Sequence, residues 1–382
     1  MRFFHLSDLH IGLKLLNRDL REDQEYILHE IVRKTADYKP DAVIIAGDIY
    51  DKSVPSAEAV EVFDNFVGEL REAAPETVVM AISGNHDSAA RVDCFRSVLS
   101  KQNLYMIGQP PKREGEFMER VVLQDGYGGV NFYLLPFVKP SIVREIVGMR
   151  EDGSLLSYHE AIERMIKRES IDERERNVIV SHQFYVPEGI DAGKVERMES
   201  EIRTVGNIDA VDAGVLSPFD YAALGHIHKP MKTGGGRICY CGTPLACSVS
   251  EAGQEKNIVM VEMREKGIVE TTMIPLKPLR EMRIIRGDLE EVLRHGCEDY
   301  VTVVLTDRAD QDIFDMRERI RLAFPNLLEI RRERARKADY EGEFDREVLL
   351  DPFELCCLFL KDMDEQERAV MKDVINTVKG AM

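Results

Sequence analysis

One pattern restricts this chain more than any other: a short, nearly all-apolar run that ends in a small segment rich in Gly, Asp, Asn or His. It occurs five times. Phe3–Leu6 leads into Asp8-Leu9-His10, Ala42–Ala46 into Gly47-Asp48-Ile49-Tyr50-Asp51, and Val78–Ile82 into Gly84-Asn85-His86-Asp87. Val178–Ser181 leads into His182, and Tyr221–Leu224 into Gly225-His226-Ile227-His228. Runs this short with no polar side suit strands buried on both faces. Between the first of them lie amphipathic stretches that predict helices: Asp19–Tyr38, with Ile27, Leu28, Ile31 and Val32 on one side, and about Ser56–Ala73. Buried sheets flanked by helices make an α/β fold. In such folds the loops leaving strand ends gather at one sheet edge, so five segments spread over more than half the chain can share one site.

Strands become more frequent from about residue 117: Phe117–Leu123, Val130–Leu135, Arg237–Tyr240, Ile258–Glu262 and Val269–Ile274 join those already named. Helices are expected near Ser141–Met149 and Tyr158–Arg168, and Gly234-Gly235-Gly236 between two extended runs predicts a hairpin turn. Pro275 and Pro278 mark a boundary and close a first domain at 1–277. Strands Met282–Ile285, Val301–Leu305 and Leu327–Arg331, with helices Leu289–Leu293 and Ile313–Phe324, give a small αβ domain at 278–337. The tail, 338–382, is polar at first and then carries two amphipathic helices, Pro352–Leu360 and Asp364–Val378. Helices of that length are marginal alone and must dock on something.

A length of 382 residues is too great for one ordinary core, which agrees with two or three domains. The net charge of −18 excludes a chain that grips nucleic acid by its overall field, so any such grip is local, metal-borne or lent by a partner. The seven cysteines are odd in number and scattered, which is no disulfide framework, and Cys239-x-Cys241 lacks companions at zinc-finger spacing. No apolar leader opens the chain and no stretch reaches membrane-spanning length, so the cytoplasm is the expected location and no membrane partner is expected.

Asp8 and Asp48 offer carboxylates, Asn85 a neutral carbonyl oxygen, and His10, His182, His226 and His228 imidazole nitrogens. This set without thiolate suits Mn, Fe, Mg or Zn better than copper or an iron–sulfur cluster. Asp48 could bridge two cations, and two metals about 3.5–4 Å apart clamp a phosphate for in-line attack. Gly47, Gly84 and Gly225 precede ligands where the backbone must turn sharply off its strand. Singly, each element is dull: a lone His is more often structural, and Gly-Asn-His-Asp makes a good turn. Seven metal-type residues in five ordered segments are not.

The ordered set D-x-H, G-D-x-x-D, G-N-H-D, a lone H and G-H-x-H resembles the calcineurin-like metallophosphoesterase superfamily. Within it, the SbcD family of nucleases is similar along nearly the whole chain. The stretches that carry this are Ser83–Ser88, Ala223–Pro230, Tyr240–Leu245, Ser250-Glu251-Ala252 and Ile274–Arg280. The resemblance implies a sandwich of two mixed β-sheets flanked by helices, with a small αβ capping domain and C-terminal helices. It implies two divalent metals, Mn2+ first, with Mg2+ or Fe2+ as alternatives. One would be held by Asp8, His10, Asp48 and His228, the other by Asp48, Asn85, His182 and His226. His86 would touch the scissile phosphate and stabilise or protonate the departing oxygen, and Asp51 would orient it by hydrogen bonding.

The activity implied is a double-strand 3'-5' exonuclease and single-strand or hairpin endonuclease in DNA repair, recombination and replication. Its implied companions are a coiled-coil ATPase of the SbcC type and a second copy within a heterotetramer, beside the nucleoid. The C-terminal helices would be the ATPase docking site, since no Walker A motif lies in this chain. Arg331, Arg332, Arg334, Arg336 and Lys337 are a candidate DNA grip, although an alternating charge run is as often a solvated face. Two departures stand out. Ala246-Cys247 replaces the family's frequent Lys-Tyr, and Lys52-Ser53 follows Asp51 where Ser/Thr phosphatases carry Arg-Gly. The metals alone do not name a substrate, so a small-molecule phosphodiesterase or nucleotidase and a non-catalytic scaffold are the alternative readings.

Overall fold

The computed structural model describes residues 1–187, 189–202, 204–306, 313–333, 352–360 and 363–379. The short apolar runs are strands: β1 (Arg2–Leu6), β2 (Ala42–Ala46), β3 (Val78–Ile82) and β4 (Leu104–Ile107) lie parallel in one sheet. That sheet is completed by an antiparallel pair, β11 (Lys256–Met263) and β12 (Val269–Leu276), in the order β12-β11-β1-β2-β3-β4. The second sheet runs β9-β10-β8-β7-β6-β5, built from β5 (Glu119–Asp125), β6 (Gly128–Leu135), β7 (Arg176–Ser181), β8 (Tyr221–Leu224), β9 (Met231–Thr233) and β10 (Ile238–Tyr240). Here β6, β7, β8 and β10 are parallel, while β5 and β9 pair antiparallel at the two edges. Both sheets are thus mixed.

The period of two sorts side chains into layers. Phe3, Ile44 and Met80 of the first sheet meet Phe132, Val178 and Tyr221 of the second in the sandwich interior. Alternate residues Phe4, Leu6, Val43 and Ile45 point outward and are covered by α1 (Arg21–Tyr38) and α2 (Ala57–Ala73). The outer face of the second sheet is covered by α3 (Pro140–Val147) and α4 (Tyr158–Arg168), whose Ile162, Met165 and Ile166 are buried. Ser157 and Glu160 close a capping box at the start of α4, which fixes where that helix begins. The order of layers is helix, sheet, sheet, helix.

A third, parallel sheet contains β13 (Met282–Gly287), β14 (Tyr300–Leu305) and β15 (Leu327–Arg332), with α5 (Leu289–Leu293) and α6 (Ile313–Ala323) packed around a core of Leu289, Val292, Val301, Val303 and Ile320. These residues share one compact unit with the sandwich, Met1–Glu201 plus Ala210–Glu333. A second unit gathers Ile202–Asp209 with Arg334–Met382. In its described part, α7 (Pro352–Phe359) and α8 (Glu365–Lys379) lie together, with Lys372 Nζ 5.0 Å over the Phe353 ring. No helix among the described residues is long and apolar enough to cross a membrane.

Pro275, one of the two prolines expected to mark the end of the first domain, lies inside β12, opposite Asn257, on a sheet edge where a missing N–H is harmless. β4 and the short parallel pair Phe184–Val186 and Ala210–Asp212 were not expected, because strands of three or four residues leave no readable alternation. Arg334, Arg336 and Lys337 of the basic run lie outside the described residues, as does the polar stretch from 338 to 351. The Gly234–Gly236 turn does join the antiparallel strands β9 and β10.

Candidate metal centre

Each of the five segments leaves the carboxyl end of a parallel strand, namely β1, β2 and β3 in one sheet and β7 and β8 in the other. Main-chain bonds Asp8 N–H to Gly47 O (2.9 Å) and His10 N–H to Asp48 O (3.1 Å) hold the loops after β1 and β2 side by side. Asp87 ties in the third: its carboxylate accepts from Ile49 N (3.0 Å), Tyr50 N (2.9 Å) and Gly84 N (2.9 Å). Burial, with Asp48 nearby, pushes the Asp87 carboxyl up to about 6.

The glycines give the close approach. A Cβ on Gly47, already at φ +94°, would stand 2.3 Å from His182 Nδ1; one on Gly84 would stand 2.1 Å from Asp48 Oδ1. Gly84 and Gly225 have no left-handed backbone, so contact, not a sharp turn, is what requires glycine there.

All seven expected ligands meet. His10 Nε2 lies 3.1 Å from His228 Nε2 and 3.8 Å from Asp48 Oδ2, while His228 Nε2 lies 3.8 Å from Asp8 Oδ1. On the other side, His182 Nε2 is 3.2 Å from Asp48 Oδ2 and 3.0 Å from Asn85 Oδ1, which is 2.9 Å from His226 Nδ1. Asp48 Oδ2 therefore borders both groups. Asp8, Asp48, His10, His182, His226 and His228 are buried, and Asn85 and His86 are half-buried at the rim.

His182 Nδ1 donates to Ala46 O at 2.7 Å, which turns its Nε2 toward the Asp48 and Asn85 oxygens. Lone pairs converging without enough hydrogens form a place for cations. Burial opposes charge on His182, yet the Asp48 and Asp8 carboxylates push it up to about 9. Burial drives His10 and His226 well below the ordinary histidine value, and Arg197 adds to the effect at His226. The pocket favours positive charge near Asp48 and bare imidazole nitrogens around it. Hard-to-borderline divalent cations fit that donor set.

His86 stands beside the cluster, edge-on to His10 with ring centroids 4.7 Å apart, and its main-chain N–H donates to Asp48 Oδ1 at 2.9 Å. Its Nδ1 donates 2.9 Å to the main-chain oxygen of Asp51. The orienting bond expected from Asp51 exists, but through the backbone; the Asp51 carboxylate lies 3.8 Å from His10 Nδ1 instead.

Several polar groups around the site escaped the sequence reading. Arg197 Nη2 lies 2.9 Å from His226 Nε2, its guanidinium lies 4.4 Å over the Phe184 ring, and it pairs with Glu201 at 2.9 Å. Glu201 accepts from the main-chain N of His228 at 3.0 Å. Ser200 and Glu251 stand behind His228, and Lys256 pairs with Glu251 at 2.6 Å. Burial works against the Glu251 carboxylate, but His228 and Lys256 hold it well below the usual range. Asp87 carried a signal in the Gly-Asn-His-Asp motif and Glu251 in Ser250-Glu251-Ala252. Arg197, Ser200 and Glu201 sit in a loop with no motif and carried none.

The calcineurin-like phosphoesterase family matches residues 1–230, and a second family, described as the type 5 capsule protein repressor C-terminal domain, matches residues 278–364. A curated relative, the SbcD subunit of nuclease SbcCD from Staphylococcus epidermidis, is 30% identical over 335 residues, covering 86% of this chain and 84% of its own. Among solved structures, a dimetal phosphatase from Danio rerio aligns with 13% identity and a TM-score of 0.40 over 72% of this chain and 99% of its own. TT1561 of Thermus thermophilus aligns with 12% identity and a TM-score of 0.40, over 71% and 98%.

Proposed function

The chain belongs to the calcineurin-like phosphoesterases and, within them, to the SbcD family, and on that premise we propose that it is the metal-dependent DNA-cutting subunit of an SbcCD-type complex. The observation that carries this reading is the meeting of Asp8, His10, Asp48, Asn85, His182, His226 and His228, from five distant loops, with the Asp48 carboxylate bordering both groups. Asp8, His10, Asp48 and His228 would hold one divalent cation, and Asp48, Asn85, His182 and His226 the other. The chemistry such a pair supplies is polarisation of the phosphodiester and a water nucleophile at neutral pH.

His86 is assigned the leaving-group side. Its Nδ1–H is spent on Asp51 O, so Nε2, 4.0 Å from Asp48 Oδ2, is the atom left to meet the phosphate, and with the ring as imidazolium it would give its Nε2 proton to the departing oxygen and return to the neutral form. Asp51 acts on it through its carbonyl, which fixes ring and tautomer.

The finer assignments rest on the family resemblance and the sequence. They are Mn2+ as the working metal, 3'-5' exonuclease and hairpin endonuclease activity, a domain end near 277, and a capping role for the sheet of β13, β14 and β15. The partners are an SbcC-type ATPase and a second copy in a heterotetramer, placed with the nucleoid in the cytoplasm. Residues 338–382 would dock the ATPase.

The test is cleavage of hairpin, linear duplex and single-stranded DNA, and of bis(p-nitrophenyl) phosphate, with manganese, magnesium or chelator. Manganese-dependent DNA cleavage abolished by chelator is expected. Hydrolysis of the small diester with every DNA left intact would replace the reading with a small-molecule phosphodiesterase. His86→Ala should keep both cations and lose about 10²–10⁴-fold in turnover, whereas Asp48→Ala should lose the cations themselves. A His86→Ala enzyme that cuts DNA at the normal rate removes His86 from the mechanism.

A further inference from the structure

His228 is backed by a polar cluster for which the metal set gives no reason. Its Nδ1 lies 2.7 Å from Ser200 Oγ, which lies 3.0 Å from Glu251 Oε1. An ionised carboxylate only accepts, so the serine hydrogen goes to Glu251 and the serine lone pair accepts the His228 Nδ1–H. The ring is thereby set in the tautomer whose bare Nε2 faces Asp8 and His10. Glu251 is itself held from several directions. Ser248 Oγ (3.1 Å) and Cys247 N (3.2 Å) donate to Oε1, and Thr243 Oγ1 (2.8 Å) and Lys256 Nζ (2.6 Å) to Oε2.

His228, Cys247 and Glu251 stand near enough to hold an ion of their own. The Lys256 ammonium already neutralises the carboxylate, and the hydrogen that His228 Nδ1 gives to the serine leaves no ring lone pair on that side for such an ion. A buried ion pair also recovers little of its desolvation cost as stability. The network does a different job.

We propose that Ser200 and Glu251 are positioning residues that lock His228 with Nε2 toward the metal centre, and so set the affinity of one of the two cation sites from behind its ligand. This rests on His228 being a ligand. A ring free to adopt the other tautomer would present an N–H to the cation for part of the time. Removing such a supporting partner costs about 10–100-fold in metal affinity.

The experiment is Mn2+ titration calorimetry on the full-length chain, with 15N NMR of histidine-labelled, metal-free protein. Ser200→Ala should still bind two ions, one of them about 10–100-fold more weakly and the other unchanged, with an unaltered metal-free Tm. Its His228 signals should move from the Nδ1-protonated pattern to a mixed one, and Ser200→Thr should restore both readouts. A Glu251→Gln/Lys256→Met pair, which leaves no lone buried charge, should weaken the same ion. Wild-type affinity for both ions in Ser200→Ala, or equal weakening of both, overturns the proposal. His228→Ala separates the two failures: if it keeps both ions at full affinity, the ligand assignment is what fell.

Discussion

Asp8, His10, Asp48 and His226 have backbone φ of 53°, 43°, 50° and 91°, a region that side chains resist. Such residues cost about 1–3 kcal/mol each and persist where the surroundings over-determine them, so the strain falls at the place where the proposed ligands leave a strand and double back. Gly47 shows the converse. Gly47→Ala should drive a methyl into His182, weakening or abolishing cation binding and lowering stability by about 1–3 kcal/mol; calorimetry and urea unfolding would read both, and full-affinity binding would refute the packing argument. The seven residues that meet were legible because their types and order are unusual, while the contact reason for Gly84 and Gly225 was not, since it depends on a neighbour from another loop. His5 carries a separate prediction. Its Nε2–H donates to Leu224 O and its Nδ1 accepts from Tyr221 Oη, and burial pushes it down to about 3. A folded value below the unfolded 6.5 means that its contribution is complete above pH 6.5 and is lost as pH falls toward 3, at about 1.4 kcal/mol per unit. His5→Gln should flatten the pH dependence of urea stability in that window; equal slopes would show that His5 titrates normally.

At the level of elements, the runs Ala42–Ala46 and Val78–Ile82 could be read because strands buried on both faces have no polar residue to confuse the pattern. α1 and α2 followed from one-sided burial over four to five turns. What escaped depended on tertiary pairing: β4 is a strand because β3 lies beside it, and Pro275 is tolerated because β12 is an edge. The junction between the third sheet and the sandwich was likewise invisible. There Arg280 pairs with Asp23 (2.8 Å) and Glu22 (2.6 Å), and the Tyr300 hydroxyl donates to the same Asp23 oxygen at 2.7 Å. Around them Leu15, Leu20, Val249, Met282 and Tyr300 form a small apolar cluster. Arg280→Ala leaves the Asp23 carboxylate buried with one donor fewer, a loss of about 1–3 kcal/mol. Urea unfolding should show it, and Asp23→Asn added to Arg280→Ala should recover part, because a neutral amide tolerates the burial. An Arg280→Ala midpoint equal to wild type would mean that the apolar cluster alone holds the junction.

The whole molecule carries a net charge of −18, and that number constrains how a DNA-cutting chain can work. Affinity for duplex DNA comes from phosphates neutralised by Lys and Arg, and each neutralised phosphate adds about 0.9 to the slope of log affinity against log salt. Arg331 pairs with Glu329 and Arg286 with Glu333, so even in the third sheet these cations are already matched. The proposed ATPase must then bring most of the basic surface, and the metal centre needs only to receive the strand delivered to it. The isolated chain should therefore bind duplex DNA weakly with a shallow salt slope, and the reconstituted complex tightly with a steep one. Deleting residues after Ala338 separates delivery from chemistry, because every proposed ligand, along with His86, Ser200 and Glu251, lies before that point. The truncated chain should still hydrolyse bis(p-nitrophenyl) phosphate with manganese, yet no longer co-purify with the ATPase, and its duplex cleavage should not rise when the ATPase is added. Retained co-purification would move the docking surface elsewhere on the chain. A steep salt slope for the isolated chain would place the basic grip in this protein itself, in spite of its charge.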